Sequence, residues 1–437
     1  MPASRNRVVR CVPKTHPCPS CGQHGRRKRS LHRRIRSLAY RQEAFTDIHY
    51  AEYQARCSCC KSFRSWPLDI PPKSDYDDLV RAAVLDRLLD DGLNVERTRA
   101  AMKRDFLLDL SSGFVYDCLN WELTRLDLPE RRRRTLENFS GTLCVDELHL
   151  GRHTLLLATD PLSDEIIGFT LVGSNDQAHM RRFLGMLKEW GFLPRVVITD
   201  GSNLYPAVLA EVWPHAAHQL CVFHILQDVT DKVLDAVRRL RRAYERRGKG
   251  GRKRKRGRPK KGAKKRPASK GPTNKDKAAF VFKRRFLIVK RAENLSEQER
   301  ADLKQMLAYM PELKTLWKFS QEVYKLWDTG QSRKVAKWRW TRLKNNAAYR
   351  AVPELAEVLE FLTEEKYKKT QAFHRQPLEQ RQKTNNHVER TNRRLRFDEK
   401  VRYKWRKRKS IVRFVLLRIS RHIPKPKTRQ PPPEGGD

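Results

Sequence analysis

Two short apolar runs that each close on an aspartate constrain the fold of this chain more than any other feature. The first is Leu143-Cys-Val-Asp146; the second is Arg195-Val-Val-Ile-Thr-Asp200, followed by Gly201. Runs of this length bounded by turn formers read as strands buried on both faces, as in a parallel sheet. Between them lie another apolar run from His153 to Ala158, a turn over Asp160-Pro-Leu-Ser-Asp-Glu165, a third strand from Ile166 to Val172, and a helical period from Gln177 to Trp190. Strand, hairpin, helix and strand in that order predict an α/β domain. Asp146 and Asp200 would then stand at the tips of neighbouring strands, although 54 positions separate them.

This is the layout of an RNase H-like fold, and it gives the two acids a shared chemistry. Carboxylates held close together repel, and divalent cations relieve the repulsion. Two such metals can activate the attacking oxygen and stabilise the leaving oxygen of a phosphodiester. Magnesium, or manganese in its place, suits all-oxygen ligands. A third acid is expected from Thr384-Asn-Asn-His-Val-Glu389-Arg-Thr-Asn392-Arg-Arg-Leu-Arg396, which reads as a polar helix start running into basic residues. Glu389 would reach the metals while Arg390, Arg393 and Arg394 hold DNA. Each acid also has a plainer reading. Asp-Gly after a strand is often only a turn, Asp146 could sit on a solvated edge, and Glu389 could pair with its arginines. Glu147 competes with Asp146, but strand alternation points it to the opposite face. Glu399 is a fallback for Glu389, and Asp160 and Asp164 read as turn residues.

Nine cysteines are present, and Cys18-Pro-Ser-Cys21 and Cys57-Ser-Cys-Cys60 form two C-x-x-C knuckles. Four thiolates close a tetrahedral structural zinc site with no open position. The spacing therefore predicts a zinc ribbon on Cys18, Cys21, Cys57 and Cys60, with a strand-like run from Phe45 to Ala55 between the knuckles. Cys59, His16 and His24 are spare ligands. The alternative is a set of unrelated thiols or a redox pair. Basic residues from Arg26 to Arg34 suit a ribbon lying on phosphates.

Asp77 to Asp91 has a helical apolar stripe that Gly92 ends. Further helices fit Val95 to Phe106 and Ser112 to Leu126, with Ser111 or Ser112 as N-cap. Three short helices in this order are helix-turn-helix-like, although any small bundle shares the stripe. Later, Arg256-Gly257-Arg258-Pro259-Lys260 carries the core of an AT-hook, whose Arg256, Arg258 and Lys260 would enter a narrow minor groove. Its plainer reading is a disordered basic linker or an import signal. In the helical region beyond it, Trp338 and Trp340 lie among basic residues, where packing within the helices competes with base stacking.

The net charge of +44 fits a polyanionic partner, because phosphate contacts release counterions. No apolar run is long enough to span a membrane, and the N-terminus lacks a secretory h-region. With these features together, the chain resembles the DDE transposases of bacterial insertion sequences. The closest likeness is to those with an N-terminal zinc ribbon and a helical insertion before the last acid. The matching stretches are the C-x-x-C pairs, Val145-Asp146-Glu147, Ile198-Thr-Asp200-Gly201, Cys221-Val-Phe-His224 and Thr384-Asn-Asn-His-Val-Glu389. The resemblance implies a triad of Asp146, Asp200 and Glu389, and a C-x-x-H pair, Cys221 and His224, of uncertain role. It departs from the family pattern at Arg390, where a glycine often follows the last acid.

The resulting expectation is an α/β protein whose RNase H-like catalytic domain is interrupted by an α-helical insertion. Its parts are a zinc ribbon over 1–70, a helix-turn-helix-like domain over 71–135, and the first part of the core over 136–225. The insertion covers 226–380 with a basic tract at 246–276, the last acidic helix 381–422, and a tail 423–437. Function would be cleavage of element ends and strand transfer into target DNA, by a homo-oligomer on DNA with no membrane partner. A non-catalytic zinc-dependent DNA-binding regulator and a metal-dependent nuclease are the alternatives. The protein would be cytoplasmic and nucleoid-associated in a bacterium, or nuclear in a eukaryote.

Overall fold

The computed structural model describes residues 7–67, 70, 74–247, 271–401 and 407–425. The AT-hook residues Arg256, Arg258 and Lys260, and most of the tail, lie outside the described residues. The chain divides into two compact units: 1–131, 149–153 and 393–423 form one, and 132–148, 154–392 and 424–437 the other. Among the described residues no helix is long and apolar enough to cross a membrane.

The first unit opens with a five-stranded sheet of β1 (Arg7–Cys11), β2 (Thr15–Pro17), β3 (His24–Ala39), β4 (Gln42–Gln54) and β5 (Ser62–Ser65). The order is β1-β4-β3-β2, with β5 also on β4. Both faces of β4 are covered: Ile48 and Tyr50 pack with Ile35 and Ile70 in one cluster, and Ala51 and Tyr53 pack with Cys18 and Phe63 in another. Gly25 in β3 is required by packing, since a Cβ there would meet the Phe63 ring at 2.6 Å and the Gln54 carbonyl at 2.7 Å. Three helices follow: α1 (Asp78–Leu85), α2 (Val95–Phe106) and α3 (Ser112–Thr124). Each starts on a side-chain cap, Asp77 to the Val80 amide, Asn94 to Arg97 and Ser111 to Phe114. The continuous helix expected to Asp91 instead ends as α at Leu85 and widens into a π turn over Asp86–Asp90. The last helix, Arg408–Ser420, belongs to the same unit, where its Arg413 donates to Asn120 at 2.8 Å.

A further helix, α4 (Leu128–Glu137), crosses the division between the units. The second unit is built on β6 (Thr142–Leu150), β7 (His153–Asp160), β8 (Glu165–Val172), β9 (Val196–Thr199) and β10 (Ala217–Leu220), in the order β10-β9-β6-β7-β8. β9 runs parallel to both β6 and β10, and β7 and β8 form the antiparallel hairpin. Helices α5 (Gln177–Glu189) and α6 (Tyr205–Val212) connect β8 to β9 and β9 to β10. They bury Met180, Phe183, Leu184 and Val208 against Val145, Leu156 and Val197 of the sheet. Asp160 is fully buried and caps the hairpin turn, accepting from the Ser140 amide at 2.6 Å and its hydroxyl at 2.7 Å.

A group of helices begins with α7 (Val222–Arg247), whose Ile225, Val229, Val233 and Val237 form one buried stripe. Around it lie α8 (Asn274–Arg284), α9 (Glu297–Tyr309), α10 (Leu313–Lys325), α11 (Arg333–Lys344), α12 (Ala347–Arg350), α13 (Pro353–Phe361) and α14 (Glu364–Thr370). These helices share a core of Leu316, Phe319 and Trp327 with α7. Gln219 on β10 fixes this core to the sheet: its amide donates to the Thr370 carbonyl at 3.0 Å and its oxygen accepts from the Phe373 amide at 2.7 Å. Helix α15 (Asn386–Val401) follows and carries Glu389 in its first turn.

Candidate active site

Asp146 lies inside β6, not at its tip as expected, because that strand continues to Leu150. Burial pushes its carboxyl up to about 7, and the charges of Glu147 and Asp200 add to the shift. A hydrogen bond from Asn392 at 2.8 Å pulls the other way by favouring the charged form. Asp200 immediately follows β9, the strand beside β6, and accepts from the Ser202 amide at 2.9 Å. Glu147 is raised by burial and then by Asp200. It therefore shares the field of the first two acids, although alternation alone turned it away. Tyr205 is fully buried and raised well above its ordinary value by burial and by the charges of Glu147 and Asp200. Its hydroxyl makes no hydrogen bond of normal geometry.

Glu389 enters through the first turn of α15. Three contacts set that turn. The buried Asn385 donates its side-chain amide to the Val145 carbonyl at 3.0 Å and its backbone amide to the Cys221 sulfur at 3.2 Å. His387, also buried, meets Asp164 at 2.7 Å. One helical turn beyond Glu389, Asn392 reaches Asp146. Glu389 then faces His224, with 3.7 Å between Oε1 and Nε2. His224 is raised to about 9, first by the neighbouring Cys221 sulfur, while Glu389 and Asp200 contribute after it. The ligand atoms of Cys221, His224 and Glu389 all lie within 4.8 Å of one another, close enough to share an ion.

The structure thus brings Asp146, Asp200, Glu389, Cys221 and His224 into one electrostatic cluster. Arg390, which follows the last acid, is exposed, and so are Arg393 and Arg394 in the first unit. Glu399 belongs to the first unit and pairs with Arg396 at 3.2 Å. The sequence reading gave no role to Asn385, Asn392, His387 or Tyr205. A signal for Asn392 was available in its position three residues after Glu389, which places both on one helical face.

In the first unit five cysteine sulfurs converge. Cys18 lies 3.2 Å from Cys60, and Cys59 lies 3.0 Å from Cys57 and 3.4 Å from Cys21. The sulfurs of Cys18, Cys21, Cys57 and Cys59 all lie within 4.8 Å of one another. Cys60 lies 3.2 Å from Cys18 and 3.9 Å from Cys57. The first knuckle turns on Gly22 at φ +74°, where the Gly22 amide donates to the Cys18 carbonyl at 2.8 Å. The Cys18 thiol falls to about 6, chiefly through the Ser20 backbone amide, which favours the thiolate that a metal requires. This cluster could hold a metal such as zinc.

Trp340 is buried and stacks on Tyr367 at 4.7 Å, which assigns it to packing, whereas Trp338 is 59% exposed. A family model described as Transposase, for the ISL3 group of DDE transposases, matches residues 143–406 of this chain. The match spans Asp146, Asp200, Glu389 and the C-x-x-H pair, and begins after the cysteine cluster. No curated protein gives a significant match.

Proposed function

Because the chain belongs to the ISL3-group transposase family, we propose that it binds the ends of a DNA element and catalyses metal-dependent cleavage and strand transfer through Asp146, Asp200 and Glu389. The observation that carries this reading is the placement of α15. One turn of this helix presents Glu389 to His224 and Asn392 to Asp146, so acids from three distant stretches share one field. The strand order β8-β7-β6-β9-β10 supports it, since an RNase H-like sheet carries its first two acids on the adjacent central strands.

The residues present fit divalent cations. Asp146 is raised to about 7 chiefly by burial and then by the charge of Glu147, and a bound cation would offset both. The buried Oε1 atoms of Glu147 and Glu389 accept no hydrogen bond. Bound magnesium or manganese would supply Lewis acidity at the scissile phosphate. Asn392 orients the Asp146 carboxylate and the Ser202 amide orients Asp200. His224, protonated below about 9, offsets the charge of Glu389. The exposed Arg390, Arg393 and Arg394 would grip the phosphate backbone. The cysteine cluster would hold a structural zinc in the end-recognition unit.

The test is a joining assay on a donor plasmid carrying the gene's own flanking DNA, with wild type and Asp200→Asn compared in magnesium, manganese and EDTA. Joined products that need metal and vanish in Asp200→Asn are expected. Cleavage without joining by the wild type would support a nuclease. Tight DNA binding with no chemistry in any metal would support a regulator.

A further inference from the structure

The insertion contains a cavity of about 530 Å³ apart from the acid cluster. Its volume lies in the range of small-molecule sites, about 300–1,000 Å³. Trp317 and Tyr324 of α10 line it together with Arg291, Arg339 and Lys383. The indole Nε1 of Trp317 is buried and has no hydrogen-bond partner. An unused buried donor is costly, and a ligand acceptor seated against the ring would remove that cost. The Tyr324 hydroxyl donates to the Val289 carbonyl, which fixes the ring, and the Arg291 guanidinium lies over that ring at 4.7 Å.

Arg291 contacts Glu293 at 3.4 Å, while Arg339 and Lys383 in this cavity are satisfied by neutral groups. Arg339 donates to the Gln331 side chain at 2.7 Å and to the Lys325 carbonyl at 3.1 Å, and Lys383 donates to the Trp327 carbonyl. Lys325 also lines the wall, and only Glu293 and Asp328 bring negative charge. Four cations against two carboxylates leave a positive excess. Burial, followed by the charge of Arg291, holds Lys383 below the ordinary lysine range. An anion bound there would relieve that penalty. Aromatic walls, an unused ring-nitrogen donor and excess positive charge together match a nucleotide, which offers a π face, base acceptors and a phosphate. A paired duplex cannot place a base in such a cavity, whereas an unpaired nucleotide can.

We infer that this cavity takes an unpaired nucleotide of the DNA substrate, with its base beside Trp317 and Tyr324 and its phosphate on Arg291, Arg339 and Lys383. The inference rests on the DNA transposase reading. Lys383 immediately precedes the Thr384-to-Glu389 stretch, and its carbonyl accepts from the Val222 amide at 2.9 Å. Occupancy of the cavity would therefore report on the segment that carries the last acid.

The full-length protein would be titrated with a duplex containing one unpaired 2-aminopurine, with the same duplex fully paired, and with free deoxyadenosine monophosphate. The expected result is binding of the bulged duplex at least about 10-fold tighter than the paired one, with quenching of the 2-aminopurine. Trp317→Phe, which keeps a ring but loses the donor, and Arg291→Gln should each remove most of that preference and leave paired-duplex affinity unchanged. Equal affinity of wild type for both duplexes would overturn the cavity assignment while the transposase reading stands. So would a preference that both variants retain, or free nucleotide binding as tightly as the bulge. Absence of binding to any duplex would overturn both readings.

Discussion

Asn392 holds Asp146 through a single hydrogen bond of 2.8 Å, and its effect is testable apart from the acids themselves. Groups that orient metal ligands are worth about 10–100-fold in affinity or activity when removed. Asn392→Ala should therefore lower the cleavage rate by about 10–100-fold and raise the magnesium concentration needed for half-maximal rate. An unchanged metal requirement would show that the bond is only structural. A second residue-scale prediction concerns stability. His218 on β10 is held neutral by burial, which lowers it from 6.5 to about 4, and it bonds Thr199 at 2.8 Å. Its folded value lies below its unfolded one, so the unfolded chain binds the proton more readily. The stabilisation is complete above about pH 6.5 and is lost as pH falls towards about 4, on the order of 3 kcal/mol in all. Denaturant titrations of wild type and His218→Gln over this window should show a flatter pH dependence in the variant.

At the scale of elements, the cysteine knuckles give the sharpest prediction. Cys59 stands among the four mutually close sulfurs, and Cys60 is close to Cys18 and Cys57 alone among them. If that arrangement selects the ligands, Cys59→Ser should lose most bound zinc by elemental analysis, while Cys60→Ser keeps it. The reverse result would restore the ligand set read from C-x-x-C spacing. Spacing shows that two knuckles meet but cannot choose between adjacent thiols, because backbone turns of similar shape can present either one. The same limit explains what else was legible. Strands β7, β8 and β9 and helices α2 and α5 follow from apolar period and caps, since local sequence decides them. The π turn after Leu85 and the continuation of β6 past Asp146 depend on tertiary contacts, which no window of the sequence contains. Asp146, Asp200 and Glu389 were legible as acids beside strands and a helix start. Asn385 and His387 were not read as anchors, because their partners Val145 and Asp164 lie more than 200 positions away.

For the whole molecule, charge makes a prediction that no single site does. The chain carries 94 Lys and Arg against 50 Asp and Glu, and 14 of the basic residues fall between 247 and 270. Removing those 14 from +44 leaves about +30, so most of the electrostatic attraction to DNA must reside elsewhere. The arginines of β3 and the exposed Arg390, Arg393 and Arg394 are where the rest is expected to act. Each phosphate contact contributes about −0.9 to the slope of log affinity against log salt. If contacts are shared in proportion to charge, deletion of 248–270 should shrink the slope by less than a third and leave binding to a nonspecific duplex readily measurable. A slope that falls by most of its value would instead make the tract the principal grip. In that case the cysteine-bearing unit and α15 would act mainly in reading sequence and positioning the acids. The two outcomes differ in what anchors the enzyme between encounters with its element ends, and filter binding at four salt concentrations separates them.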